Sequence, residues 1–270
     1  MMKKFLTPRV AIGSVVAVAA LGLAGVVSAA GLSVVIKGDA RTSPAQLSCP
    51  GGMTRLGHVF DANASVFPGD PSPIITKTFD YPDGFLLETI TTGTHTGTHL
   101  SAPGHFIEGA PTIDDLAAKD FSWPVYVIDV RSRRNTNPDF SVTRQDIKSY
   151  ESKNGKIASG SLVVLFTGFQ SRFATPAYLD TAPGFTADAI TYMFTDRLIK
   201  GVGTDTFGPD ASSDVDFSAS TEIYTRGGIT IENMRGLEKL HIRGDVVIAP
   251  TTALRDGSGF LTDPIGCLRG

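Results

Sequence analysis

The chain has 270 residues, a formal net charge of −3, 41% hydrophobic residues and 19% charged residues. That length and apolar content suit one large domain with a buried core and exclude a disordered, highly charged chain. The balance is mildly acidic, and the only basic cluster, Arg131, Arg133 and Arg134, reads as a solvated turn, so nucleic acid is not an expected partner.

Lys3, Lys4 and Arg9 precede an uncharged apolar stretch over residues 11–27, and Val27-Ser28-Ala29 carries the small residues of a signal-peptidase site. The expectation is a signal peptide over residues 1–29, an N-terminal arm over 30–56 and one domain over 57–270, in a protein that is secreted or periplasmic. Cleavage removes three positive charges and no acid, carrying the net charge from −3 to −6. Only Cys49 and Cys267 are present. They are too few and too far apart for a metal cage, and in an oxidising compartment they are expected to pair.

Within the domain, residues 58–61 read as a short strand and Phe67-Pro68-Gly69-Asp70-Pro71 as a rigid turn. Residues 85–94 read as a strand, 112–118 as a short helix and 125–130 as a buried strand. Thr143 and Asp146 resemble a capping box, opening a helix that runs to about Glu151. A buried strand over 162–166, a helix over 186–198 and a strand over 202–206 follow, with further strands over 227–232 and 245–250. The strand–helix–strand order predicts an α/β fold.

The chain has five histidines, and His95, His99 and His105 fall within eleven positions. Imidazole is the common nitrogen ligand of zinc and the common acid–base group near neutral pH. Thr96, Gly97 and Thr98 form helices poorly, so the segment reads as a loop after a strand, with Gly97 letting the two rings converge. Two neutral histidines and one carboxylate would leave a zinc ion net positive charge and a position open for water. His58 and His241 read as structural, as does Asp205 in the strand at 202–206.

HTGTHLSAPGHF at 95–106 resembles the HxGTHxDAPxHF signature of the cyclase family, which includes bacterial kynurenine formamidase and isatin hydrolase, at every specified position but one. FPGDP at 67–71, VYVIDV at 125–130, LVVLFTGF at 162–169, PGF at 183–185, GVGTDT at 201–206 and GGITIENM at 227–234 resemble further family segments in the same order, across roughly residues 57–250. The resemblance implies a single α/β domain with a β-barrel-like mixed sheet flanked by helices, assembled as a homo-oligomer, a dimer or larger. It implies hydrolysis of an amide-type bond, such as that of N-formylkynurenine or a small, often aromatic, cyclic amide. By position, His95, His99 and Glu232 match metal ligands, His105 the catalytic acid/base, and Phe67 an aromatic residue beside the substrate; Phe106 and Phe169 are further candidates for that wall.

Two positions depart from the pattern. Ser101 stands where the family has a metal-binding aspartate, and Ser220 where formamidases have a histidine, although a shift of two residues would put Glu222 there instead. Both departures remove ligands of a second ion, so one divalent metal, zinc or manganese, is expected. Two other readings stand beside the hydrolase: a cyclase or dehydratase of a natural-product intermediate, and a secreted protein that binds a small molecule without turning it over.

Overall fold

The computed structural model describes residues 48–270. The expected signal peptide lies outside the described residues, and the expected arm is described only from residue 48. Thirteen strands are present among the described residues: β1 (Met53–Arg55), β2 (Ile74–Phe79), β3 (Leu87–Thr91), β4 (His99–Ser101), β5 (Ser122–Asp129), β6 (Ser141–Val142), β7 (Leu162–Phe166), β8 (Gly184–Phe185), β9 (Gly201–Thr204), β10 (Ile229–Glu232), β11 (Arg243–Ile248), β12 (Gly259–Leu261) and β13 (Ile265–Cys267). Four α-helices accompany them: α1 (Arg131–Arg134), α2 (Arg144–Asn154), α3 (Ala187–Asp196) and α4 (Ser218–Thr225).

Nine strands form one curled, mixed sheet in the order β1-β13-β11-β5-β7-β9-β10-β4-β12. The middle is parallel from β5 through β7 and β9 to β10, and the flanks are antiparallel. The fully buried strand β7, Leu162-Val163-Val164-Leu165-Phe166, is apolar on both faces because both faces are covered. Val163, Leu165 and Val202 face the helical layer with Ile147, Ile190, Met193 and Ile223. Leu162, Val164, Ile231 and Leu100 face a second apolar layer with Leu56, Trp123 and Val247.

The predicted capping box is present: Thr143 Oγ1 accepts from the Asp146 N–H while the Asp146 carboxylate accepts from the Thr143 N–H, which opens α2. Thr186 caps α3 with its hydroxyl oxygen, which accepts from the Ala189 N–H. Asp205 is structural, as expected. Its buried carboxylate accepts from the backbone N–H of Thr167, Gly168 and Gln170 and from the Thr167 hydroxyl, tying the end of β7 to the end of β9.

Three expectations are corrected. Residues 58–61 form no strand; the arm instead supplies β1, and Gly57 just after it makes a single bridge to Met234. Residues 112–118 form turns rather than a helix, with the Asp115 carboxylate accepting from the Thr112 N–H. The strand expected over 85–94 forms as β3, but it pairs with β2 as a separate hairpin outside the main sheet. Cys49 and Cys267 form the expected disulfide and hold the chain's arm to β13.

Candidate functional site

The centre of the site is built by strand register. His99 is on a strand, not in the loop expected from its sequence neighbours, and the antiparallel β4–β10 pairing sets it directly opposite Glu232. Residues two apart on a strand share a face. His99 and Ser101 of β4 therefore stand on one face with Thr230 and Glu232 of β10, while Leu100 and Ile231 turn into the apolar layer behind.

The loop before β4 is fixed by backbone contacts. Gly97 has φ +67°, a left-handed conformation that glycine adopts without strain, and its carbonyl accepts from His99 Nδ1 at 2.9 Å and from Asn233 Nδ2 at 2.9 Å. Asn233 is also left-handed, accepts from the Tyr178 hydroxyl at 2.7 Å, and receives the Thr98 hydroxyl on its carbonyl at 2.6 Å. With Nδ1 donating to Gly97, a neutral His99 ring carries its lone pair on Nε2. That atom is buried, has no hydrogen-bond partner, and faces Glu232 Oε2 at 3.4 Å. Two electron-rich atoms facing each other in a buried space are a favourable seat for a cation.

Glu232 is held for that task from its other oxygen. Thr230 Oγ1 donates to Glu232 Oε1 at 2.6 Å, and the buried Tyr224 hydroxyl, 2.8 Å away, then donates to Thr230. Burial pushes the Glu232 carboxyl up, but positive charge at His99 Nε2, a proton standing where a cation would, together with the Thr230 hydroxyl outweighs it and holds the group below its ordinary value.

His95 is near but differently placed. Its ring meets His99 edge-on, with centroids 5.0 Å apart, and lies flat against His105 at 3.7 Å. Both of its nitrogens are engaged: Nδ1 with Ser101 Oγ at 3.1 Å and Nε2 with Ser258 Oγ at 2.9 Å. Gly259 makes room for the ring, because a Cβ there would come 2.5 Å from His95 Cε1. Burial, then the neighbouring His99 and His105, lowers the His95 pKa to about 3, so its ring is neutral. The three residues expected as ligands are thus brought together, but among the described residues no group of three or more His, Cys, Asp or Glu side chains is disposed to hold a metal ion. The donor set fits a cation through His99 and Glu232. His95 does not complete it in this arrangement.

His105 closes a short turn, Pro103–His105, and is exposed at the mouth of the site. Desolvation against its neighbours lowers its pKa, partly opposed by Glu232 and Asp70. Phe106 meets its ring edge-on at 4.9 Å, and a row of partly exposed rings runs from Phe106 through Phe217 to Phe67. Phe106 and Phe217 lie 6.1 Å apart, Phe67 and Phe217 6.1 Å, and Phe67 and Phe207 5.8 Å. Phe169 is not part of this wall; it is buried beneath Tyr178. Phe217 has φ +52°, a conformation costly for a bulky residue, by about 1–3 kcal/mol. Asp214 and Asp210 hold it there by accepting the N–H groups of Ser218, Ala219 and Ser220 at the start of α4.

Ser220 takes no part in the site: its hydroxyl donates to Asp210. The alternative at Glu222 also points elsewhere, to Thr191 and Arg226. His58 stacks on Phe173 with its backbone N–H on the Thr98 hydroxyl, and His241 pairs with Asp245; neither ring joins the cluster, as expected of structural histidines. Sequence reasoning missed Tyr224, Thr230, Phe217 and Ser258. Thr230 alone left a signal, two residues before Glu232 on the same strand face.

The cyclase family model matches residues 54–211, more than half of the chain. An isatin hydrolase from Roseibium aggregatum is 30% identical over 207 residues, covering 70% of this chain and 78% of that protein. A kynurenine formamidase from Bacillus cereus is 22% identical over 199 residues, covering 73% and 88%. The structure of isatin hydrolase A from Labrenzia aggregata bound to benzyl benzoate superimposes with a TM-score of 0.75 at 27% identity, covering 80% of this chain and 93% of that one. The length of the family match, with His99 facing Glu232 across β4 and β10, leads to one conclusion: this chain belongs to the cyclase family.

Proposed function

We propose that the protein hydrolyses an amide-type bond in an aromatic formamide or a small cyclic amide, with one divalent cation, zinc or manganese, at His99 and Glu232. The observation that carries this reading is the buried, unpartnered His99 Nε2 facing the Glu232 carboxylate at 3.4 Å beneath an aromatic mouth. When bound, the cation polarises a carbonyl and lowers the pKa of water. Glu232 supplies the anionic charge, and its hydrogen bond from Thr230 fixes which oxygen faces His99. His105, at the mouth, takes a proton and returns it to the leaving nitrogen. Phe67, Phe106 and Phe217 hold the substrate's ring by stacking and edge contacts.

The test is a panel of N-formylkynurenine, formanilides and isatin-type cyclic amides with added zinc or manganese. His105→Ala should lower turnover about 10²–10⁴-fold. The unprotonated ring is the working form, so activity should be lost as pH falls through the His105 pKa, with its midpoint below 6.5 because that pKa is lowered. Turnover and profile unchanged in His105→Ala would reject the proton-transfer role. The reading of a binding protein without turnover draws on one observation, the serine contacts on both His95 nitrogens. Metal bound at the site, with no hydrolysis anywhere in the panel, would favour it.

The β2–β3 hairpin supports a homo-oligomer. Ile74, Phe79, Tyr81, Phe85 and Ile90 are all exposed on it, and a two-stranded hairpin outside a larger sheet gains little stability in water alone. A second copy of the chain covering this surface accounts for both facts. Light scattering should give at least twice the chain mass, and Phe85→Asp with Ile90→Lys should return the monomer; a monomeric native protein rejects the assembly.

A further inference from the structure

His99 and His95 treat their ring nitrogens in opposite ways. A metal-binding histidine ordinarily gives one nitrogen to the ion and donates its other N–H to a carbonyl, a carboxylate or water. His99 follows that pattern, with Nδ1 on the Gly97 carbonyl and Nε2 bare. On His95 both nitrogens are taken by serine hydroxyls, from Ser101 six residues along and Ser258 163 residues along. In the neutral ring one nitrogen is a donor and the other an acceptor, so in either tautomer the lone pair of His95 receives a serine O–H. The ring is also held flat by His105 and seated over Gly259.

Resting on the metal-site reading above, we propose that Ser258 is a positioning residue that holds His95 off the cation and so sets how tightly this protein takes metal. Ser101 supplies no carboxylate and takes Nδ1, and Ser258 takes Nε2, so neither nitrogen of His95 is open to the ion. The site is left with two donors from β4 and β10, which makes for a weakly held, exchangeable ion. Removing the Ser258 hydroxyl frees Nε2 to turn toward the pair. Ser258 suits a test by substitution. It is only partly buried, and the backbone carbonyl through which it receives the Ala102 N–H is unchanged by replacing the side chain.

The experiment is calorimetric titration of zinc into the metal-stripped full chain, comparing native protein with Ser258→Ala, Ser258→Thr and Glu232→Gln, each checked for an unaltered thermal transition. Ser258→Ala should bind zinc about tenfold more tightly, the lower end of the effect of residues that hold a ligand histidine. Ser258→Thr keeps the hydroxyl and should bind as the native protein does. Glu232→Gln should lose the site. Equal or weaker binding by Ser258→Ala, with Glu232→Gln still losing it, overturns the role of Ser258 and leaves the cation site standing. Binding unaffected by Glu232→Gln overturns the cation site, and the role of Ser258 with it. If the Ser258→Ala chain fails to fold, Ser258→Val carries the same comparison, since it keeps the shape of the threonine variant but has neither a donor nor a zinc ligand and should also tighten binding; unchanged affinity there overturns the proposal.

Discussion

Glu232→Gln is expected to lower turnover by about three orders of magnitude, equivalent to the several kcal/mol that a bound cation supplies, while leaving the protein as stable as the native chain or slightly more so. The argument comes from the atoms around it. The Glu232 carboxylate faces the bare His99 Nε2 at 3.4 Å, an arrangement that is unfavourable without a cation between the two. An amide of the same shape keeps its oxygen on the Thr230 hydroxyl and offers an N–H to His99 Nε2, adding one hydrogen bond worth about 1 kcal/mol. Function and stability then move in opposite directions, as at sites where a local rule is broken for chemistry. Steady-state turnover with added metal, measured beside the thermal transition, decides the point. Activity within tenfold of native rejects the cation site, and a large fall in stability means the carboxylate serves as an ion-pair partner of His99.

Opening the Cys49–Cys267 disulfide is expected to be the most destabilising covalent change available to this chain. The bridge spans 218 positions, so it constrains nearly the whole domain in the unfolded state. Loop-closure entropy puts that constraint at up to about 5 kcal/mol, a large part of the stability of an ordinary domain. In a domain of this size such a loss lowers the midpoint by about 10–20 °C. The bridge also anchors β1, whose Met53 pairs with Cys267, at the far edge of the sheet from β4 and β12. Cys49→Ser should therefore reduce stability while leaving zinc affinity unchanged. A midpoint unmoved by reduction would mean that β1 alone holds this edge. An intact disulfide in protein isolated under thiol-blocking conditions would support the proposal that the protein is secreted, since such bonds persist in oxidising compartments.

Much of the scaffold was legible because its signals are local. The Thr143–Asp146 capping box, the apolar run of β7 and the left-handed glycine of the histidine loop depend on near neighbours, and each appears where the sequence puts it. The helix expected over 112–118 stops after a single turn because Ala117 is extended, with φ −75° and ψ 151°, and leads the chain on toward β5. Residues 85–94 read as ordinary strand sequence, and nothing in them announces that β3 leaves the main sheet to pair with β2.

For the site, the sequence alone determined the chemical vocabulary: three clustered histidines, a glutamate at the end of an apolar strand, and a serine in place of an aspartate. Tertiary structure decided how those groups are used. Antiparallel register set His99 opposite Glu232, and folding brought Ser258 to His95 and Tyr224 to Thr230. The physical reason is that hydroxyl groups carry no periodic or compositional signal, and a hydrogen bond between residues 163 positions apart exists only once the sheet has closed β12 onto β4. The histidine cluster marked the place of the chemistry; only the fold separated the histidine with a free nitrogen from the one with none.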